Sequence, residues 1–289
     1  MRRFDEHNPA VIAVYYAAVI TVTMFSMNPI VIAISLLSSV LTYCLYGKGG
    51  VRTHLFSLFL FLVLTVVNPL IVHNGATVLF YLNSRPITLE ATLYGASAAA
   101  TVTATLYRLR SLSHDLTSEK MRYLFSRLSP KLALLLSMAL RSVGVFRQRL
   151  RRIHDSQRAL GLYRDDNLID AARGRVRELS ILITWSLENG VYTAQSMDAR
   201  GYGSRRRSSY AIFRFRRRDL LILLLTLALT ALSIIGITGA GISYYPEIES
   251  DLFSPLSICG YVAYAILGVL PVIINTKEAI RWRILLSGI

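Results

Sequence analysis

The sequence predicts an all-α integral membrane protein with about six transmembrane helices and a helical cytoplasmic region inserted after the fourth. Two observations carry this reading. Tracts free of Asp, Glu, Lys and Arg cover positions 8–47, 54–84, 91–107, 220–245 and 252–276, and the first is long enough for two spans of about 20 residues. A soluble core helix seldom runs so far without a polar face. Charge, in turn, is gathered in one place. Positions 108–218 hold 24 of the 32 Lys and Arg but 9 of the 17 acids, an excess equal to the whole net charge of +15. The positive-inside rule keeps such a segment in the cytoplasm.

The elements follow in order. Arg2 and Arg3 ahead of the apolar Val11–Phe25 have the outline of a secretory leader. Asp5 and Glu6 intervene, however, no Ala-x-Ala pattern closes the run, and Asn28-Pro29 leads directly into more apolar chain, so an uncleaved first span is expected. Spans one and two (about 10–26 and 30–46) form a hairpin turning at Asn28-Pro29. Gly47, Gly49 and Gly50, beside Lys48 and Arg52, make a cytoplasmic return. Span three (about 54–73) ends at an external loop, His73-Asn74-Gly75, where Thr77–Leu82 pairs with Pro86–Leu89 as a short hairpin. Span four (about 90–107) returns inward. Span five (219–240) leads to an external loop with Glu247, Glu249 and Asp251, and span six (255–275) comes back to Lys277, Arg281 and Arg283.

This path puts both termini in the cytoplasm of a cell protein set in the plasma membrane. It divides the chain into an N-terminal membrane part (1–107), a basic cytoplasmic region (108–218) and a C-terminal membrane part (219–289). Gly95 with Ala96–Ala100, and Gly236, Gly239, Gly241, Gly260 and Gly268, give spans four to six small surfaces suited to close helix approach, chiefly within the chain itself.

The cytoplasmic region has a helical rhythm. Ser129-Pro130 opens a helix whose apolar stretch, 132–145, continues into the basic run Arg147–Arg152. A second long helix covers about 170–199, with Leu179, Ile183, Leu187, Val191 and Ala194 on one stripe. Both helices end alike. The first closes at Gln157-Arg158-Ala159-Leu160-Gly161 and the second at Met197-Asp198-Ala199-Arg200-Gly201. An Arg in the last turn followed by Gly is an ordinary C-terminal signal. Its repetition suggests a pair of Arg-tipped rods fitting two equivalent grooves of a dimeric partner, where a planar guanidinium makes several hydrogen bonds at once.

Several function classes are disfavoured. No Gly-x-x-x-x-Gly-Lys-[Ser/Thr] phosphate loop or Gly-x-Ser-x-Gly elbow occurs. The five histidines are scattered without ligand spacing, and Cys44 and Cys259 lie far apart in apolar runs, so neither a metal site nor an enzyme is expected. The main alternative, a self-sufficient secondary transporter, meets a shortage of ionisable residues in the spans and no evident inverted repeat. The runs Arg205–Arg207 and Arg214–Arg218 suit topology and anionic lipid, at about 1 kcal/mol per residue near the surface. Nucleic acid is not expected as a partner, because no binding module accompanies them.

Particular residues then carry a resemblance. Asn68-Pro69-Leu70 with His73 and Gly75, Pro86-Ile87-Thr88-Leu89-Glu90, Leu128-Ser129-Pro130-Lys131-Leu132, Leu140-Arg141-Ser142 and, most specifically, Ser180–Gly203 ending in Ala199-Arg200-Gly201, resemble the transmembrane T component of energy-coupling factor (ECF-type) transporters, the group that includes the CbiQ proteins. The resemblance covers most of the chain. It implies a non-catalytic transporter subunit that binds no cofactor itself. Two cytosolic ABC ATPases would hydrolyse ATP-Mg, and a small membrane-embedded S component would bind the vitamin or metal ion. Two coupling helices would seat in grooves of the ATPase pair. The second coupling motif is then Ala199, Arg200 and Gly201. In the first, the family pattern puts an arginine at position 160, which is Leu160 here, so the role passes to Arg158 within Gln157, Arg158, Ala159 and Gly161. Gly144 stands where a proline is frequent, implying a straighter first coupling helix.

Overall fold

Asn-Pro pairs start the first two helices by the same local chemistry. The Asn8 side chain accepts the Ala10 N–H at 3.1 Å and that of Asn28 accepts the Ile30 N–H at 3.0 Å. The proline that follows needs no hydrogen-bond partner for its nitrogen. The structure, a computed structural model, describes residues 4–46, 50–72, 75, 77–82, 85–162, 168–202, 213, 215–239, 242–243, 249–250 and 254–287. The expected turns at 47–49 and 73–74 and the arginine run at 205–207 lie outside the described residues.

The helices are α1 (Pro9–Phe25), α2 (Pro29–Tyr46), α3 (Val51–Ile71), α4 (Leu89–Asp115), α5 (Ser118–Leu128), α6 (Pro130–Ala159), α7 (Leu168–Ala199), α8 (Arg217–Thr238) and α9 (Pro255–Ser287). Two short antiparallel hairpins interrupt them, β1 (Val78–Leu82) with β2 (Arg85–Thr88), and β3 (Ile242–Ser243) with β4 (Glu249–Ser250). The protein is an all-α membrane protein. Among the described residues, α2, α3, α8 and α9 are long and apolar enough to cross a bilayer. Helix α1 is a shorter apolar helix of 17 residues, and the 27-residue α4 is less apolar because it carries Glu90, Arg108, Arg110 and Asp115.

The chain forms two compact units. One holds 1–121 and 213–289; the other holds 122–212. The expected boundary at position 107 falls inside α4, which runs on to Asp115.

In the first unit the sequence neighbours α1 and α2 find their main partners elsewhere. Helix α1 packs on α4 and α8, α2 packs on α4 and α9, and α3 lies along α4. Polar side chains are buried among the apolar residues of the interior. Thr23 Oγ1 meets Ser35 Oγ at 2.9 Å and the Tyr264 hydroxyl at 2.6 Å, and Asn28 donates to the Tyr261 hydroxyl. Such bonds join membrane helices where apolar attraction between them is weak.

Arg108, expected as a topological marker just past a span, is fully buried instead. Its guanidinium donates to the Ser38 hydroxyl (2.7 Å), the Gly268 carbonyl (3.1 Å) and the Tyr15 hydroxyl (3.4 Å), tying α4 to α2, α9 and α1. Gly268 makes the room, since a Cβ there would lie 2.7 Å from Ser38 Oγ. Helices α8 and α9 cross where Gly236 faces Gly260, so closely that a Cβ on Gly236 would come within 2.5 Å of the Gly260 Cα. Small residues in these spans therefore serve packing within the chain. In the first turn of α4 the buried Glu90 accepts the Thr77 N–H (3.1 Å) and hydroxyl (2.6 Å), and Gly75 takes a φ of +142° beside it.

Candidate functional site

The second unit carries every residue singled out for coupling. Serine and proline at 129–130 start α6, which runs unbroken through Gly144 to Ala159. Helix α7 follows with 32 residues. The two lie antiparallel. His154 Nδ1 is 2.8 Å from Glu178 Oε1, the Arg149 guanidinium sits 5.0 Å over the Trp185 ring, and Phe146 meets the same ring edge-on at 6.1 Å. A rising number on α6 thus goes with a falling or level one across on α7. Among the described residues an aromatic pair, a cation–π contact and a polar bridge join the two helices.

Both helices end in the same backbone device. In α6, the Gly161 N–H bonds the Arg158 carbonyl (3.0 Å) and the Leu162 N–H bonds the Gln157 carbonyl (3.2 Å). In α7, the Gly201 N–H bonds the Asp198 carbonyl (2.9 Å) and the Tyr202 N–H bonds the Met197 carbonyl (3.1 Å). Gly161 and Gly201 have φ of +67° and +72°, the left-handed conformation that lets a glycine turn the chain off a helix. These are two Schellman ends in one register.

That register fixes which residues correspond. Gln157 matches Met197, Arg158 matches Asp198, Ala159 matches Ala199, Leu160 matches Arg200 and Gly161 matches Gly201. Arg158 and Arg200 both sit in exposed last turns, two positions apart in this frame. Ala159, Gly161, Ala199 and Gly201 are exposed as well, and Gln157 is half-buried. The structure does not bring the two tips together. From the His154–Glu178 level, Arg200 is 22 residues along α7 and Arg158 is four residues the other way along α6. At about 1.5 Å per residue the tips stand roughly 40 Å apart along the pair.

Beyond the Trp185 contact the helices enclose a cleft of about 590 Å³, with Arg141, Ser142, Tyr192, Ser196, Arg200 and Tyr202 among its walls. Arg200 therefore stands at the rim of a groove with a second guanidinium in it. The sequence stripe on α7 is not what holds α6. Leu179, Ile183, Leu187 and Val191 are each more than half exposed, a row of apolar side chains left largely open by the described residues.

Sequence reasoning missed the cleft, the Arg149–Trp185 stack and the register of the two ends. The last was visible in the repeated Ala-x-Gly of Ala159-Leu160-Gly161 and Ala199-Arg200-Gly201. Among the described residues no group of His, Cys, Asp and Glu is placed to hold a metal ion.

The chain matches the family model described as cobalt transport protein, CbiQ, over residues 4–210, from before α1 to beyond both helix ends. No curated protein matches it.

Proposed function

The chain belongs to the CbiQ family of cobalt transport proteins, the family of ECF transporter T components, and on that premise we propose that it is the subunit that couples two cytosolic ABC ATPases to a substrate-binding S component. It is a multi-pass membrane protein and a transport component; the coupling role is the further step. The observation that carries it is the pair of identical helix ends, each presenting an Ala-x-Gly turn on an exposed tip, roughly 40 Å apart on one helical pair. A two-fold ATPase pair offers two equivalent surfaces, and two equivalent helix ends fit it.

The mechanism follows from stiffness. Helices α6 and α7, with 30 and 32 residues, are rods of about 45 Å each. They touch mainly around Phe146, Arg149, His154 and Trp185, so they can scissor about that contact. When ATP closes the ATPases, the gripped tips move, and the exposed Leu179–Val191 row on α7 moves with them. That row is the surface on which an apolar S component would be carried. Arg200 anchors the second tip, its forked donors matching carbonyl and carboxylate acceptors together; Arg158, with Gln157, serves the first. The cargo, a vitamin or a metal ion such as cobalt, is held by the S component as substrate.

The test is co-purification in mild detergent. Arg158→Glu with Arg200→Glu is expected to strip both ATPases while leaving the membrane chain folded. Retention of the ATPases by the double variant would contradict the docking assignment.

A further inference from the structure

Helices α8 and α9 are pinned at one end, where Gly236 meets Gly260, and part toward the other. The gap is a cleft of about 330 Å³ with almost wholly apolar walls, Leu221, Leu225, Ile266 and Ile273 among them. Its mouth carries Arg218 from the start of α8 and Lys277 from the later turns of α9. Both are exposed, and neither has an acidic partner among the described residues. The nearest acid in sequence to Arg218 is already engaged: Asp219 accepts the Arg216 N–H at 3.0 Å and lies 2.7 Å from His7 Nδ1. Glu278, beside Lys277, is buried.

We propose that this cleft is a binding site for an anionic phospholipid, with one acyl chain between α8 and α9 and the phosphate between Arg218 and Lys277. The chemistry fits at both ends. Two unpaired cations at the membrane surface match a phosphodiester, and the apolar gap below them runs seven residues along α8 from Arg218 to Leu225, about 10 Å. That depth takes the upper part of a chain. Arg216 and Arg217 flank the mouth on the side that the positive-inside rule turns to the cytoplasm, where the leaflet is rich in anionic lipid. The site rests on the transmembrane reading and not on ATPase docking.

The experiment uses the intact transporter complex in phosphatidylcholine nanodiscs, titrated with dioleoylphosphatidylglycerol and read by native mass spectrometry, with ATPase content scored in parallel. The wild type is expected to retain phosphatidylglycerol over phosphatidylcholine. Arg218→Gln with Lys277→Gln should weaken retention about thirty-fold, the equivalent of about 1 kcal/mol for each basic residue. Leu225→Trp, which fills the gap and keeps both charges, should also weaken it. Arg151→Gln with Arg152→Gln on α6 should leave it unchanged. Equal loss with the α6 variant would mean general charge attraction and would overturn the site, as would unchanged retention in both cleft variants. A zero-length cross-link from a cysteine at 225 to another chain of the complex would overturn it too, by showing a protein in the cleft.

Discussion

Leu160 stands at the end of α6 where Arg200 stands at the end of α7: each is the residue before a left-handed glycine, and each amide closes the last helical turn, at 3.1 Å and 3.2 Å. If docking reads this frame, an arginine at 160 substitutes for one at 158. Arg158→Ala is therefore expected to lower ATPase recovery several-fold, and adding Leu160→Arg to the same chain should restore it. Quantitative co-purification checks this. A double variant as weak as the single would assign the first tip's grip to something other than its frame.

The glycines are required for their backbone angle. Gly161→Ala and Gly201→Ala each put a Cβ on a left-handed residue at a cost of about 1 kcal/mol. That cost unwinds a tip more readily than it unfolds a span. ATPase binding should fall while the detergent Tm of the membrane unit holds. Asn at either position tolerates the same angle and should recover most of the binding. Binding titrations with purified ATPases give the comparison.

Much of the architecture was legible because bilayer insertion writes itself into composition. The ends of α1, α2, α8 and the α7 tip fall within a few residues of expectation, since Asn-Pro starts, an arginine cluster and an Ala-x-Gly stop are local signals. The β1–β2 hairpin was also legible from its β-formers. Arg108 was not. Counting charges treats every arginine near a span as surface, whereas this one is solvated by hydroxyls and a carbonyl from three other helices, a long-range arrangement with no local mark. The α6–α7 cleft was hidden for the same reason. Periodicity shows which face of a helix is apolar but not whether anything covers it, and the α7 stripe turns out to be open.

Arg108 is held by geometry that a lysine cannot copy. One ammonium cannot reach Tyr15, Ser38 and the Gly268 carbonyl together as a planar fork does. Arg108→Ala removes three hydrogen bonds that cross between helices and empties a fully buried site, and should cost about 2 kcal/mol or more. Arg108→Lys should recover little of it. Thermal unfolding of the purified chain in detergent measures both; near-wild-type stability for the alanine variant would remove Arg108 as the tie between α4 and its neighbours.

Two glycines of similar sequence context are expected to behave oppositely. Gly236→Val drives a side chain into the Gly260 backbone and should reduce folded yield sharply. Gly144, with open space around its Cβ position in the middle of α6, should accept alanine with a gain of up to about 1 kcal/mol in helix stability. Detergent-resistant yield and far-UV melting of the two variants separate the cases.

The most direct measurement is accessibility of the tips. In a Cys44→Ala, Cys259→Ala background, single cysteines at positions 159 and 199 are exposed to a membrane-impermeant maleimide, in intact cells and in inside-out vesicles with and without their ATPases. Both positions are predicted to react only in inside-out vesicles, and several-fold faster once the ATPases are removed. Labelling from outside intact cells, or labelling indifferent to the ATPases, contradicts a pair of cytoplasmic helix ends held by a motor.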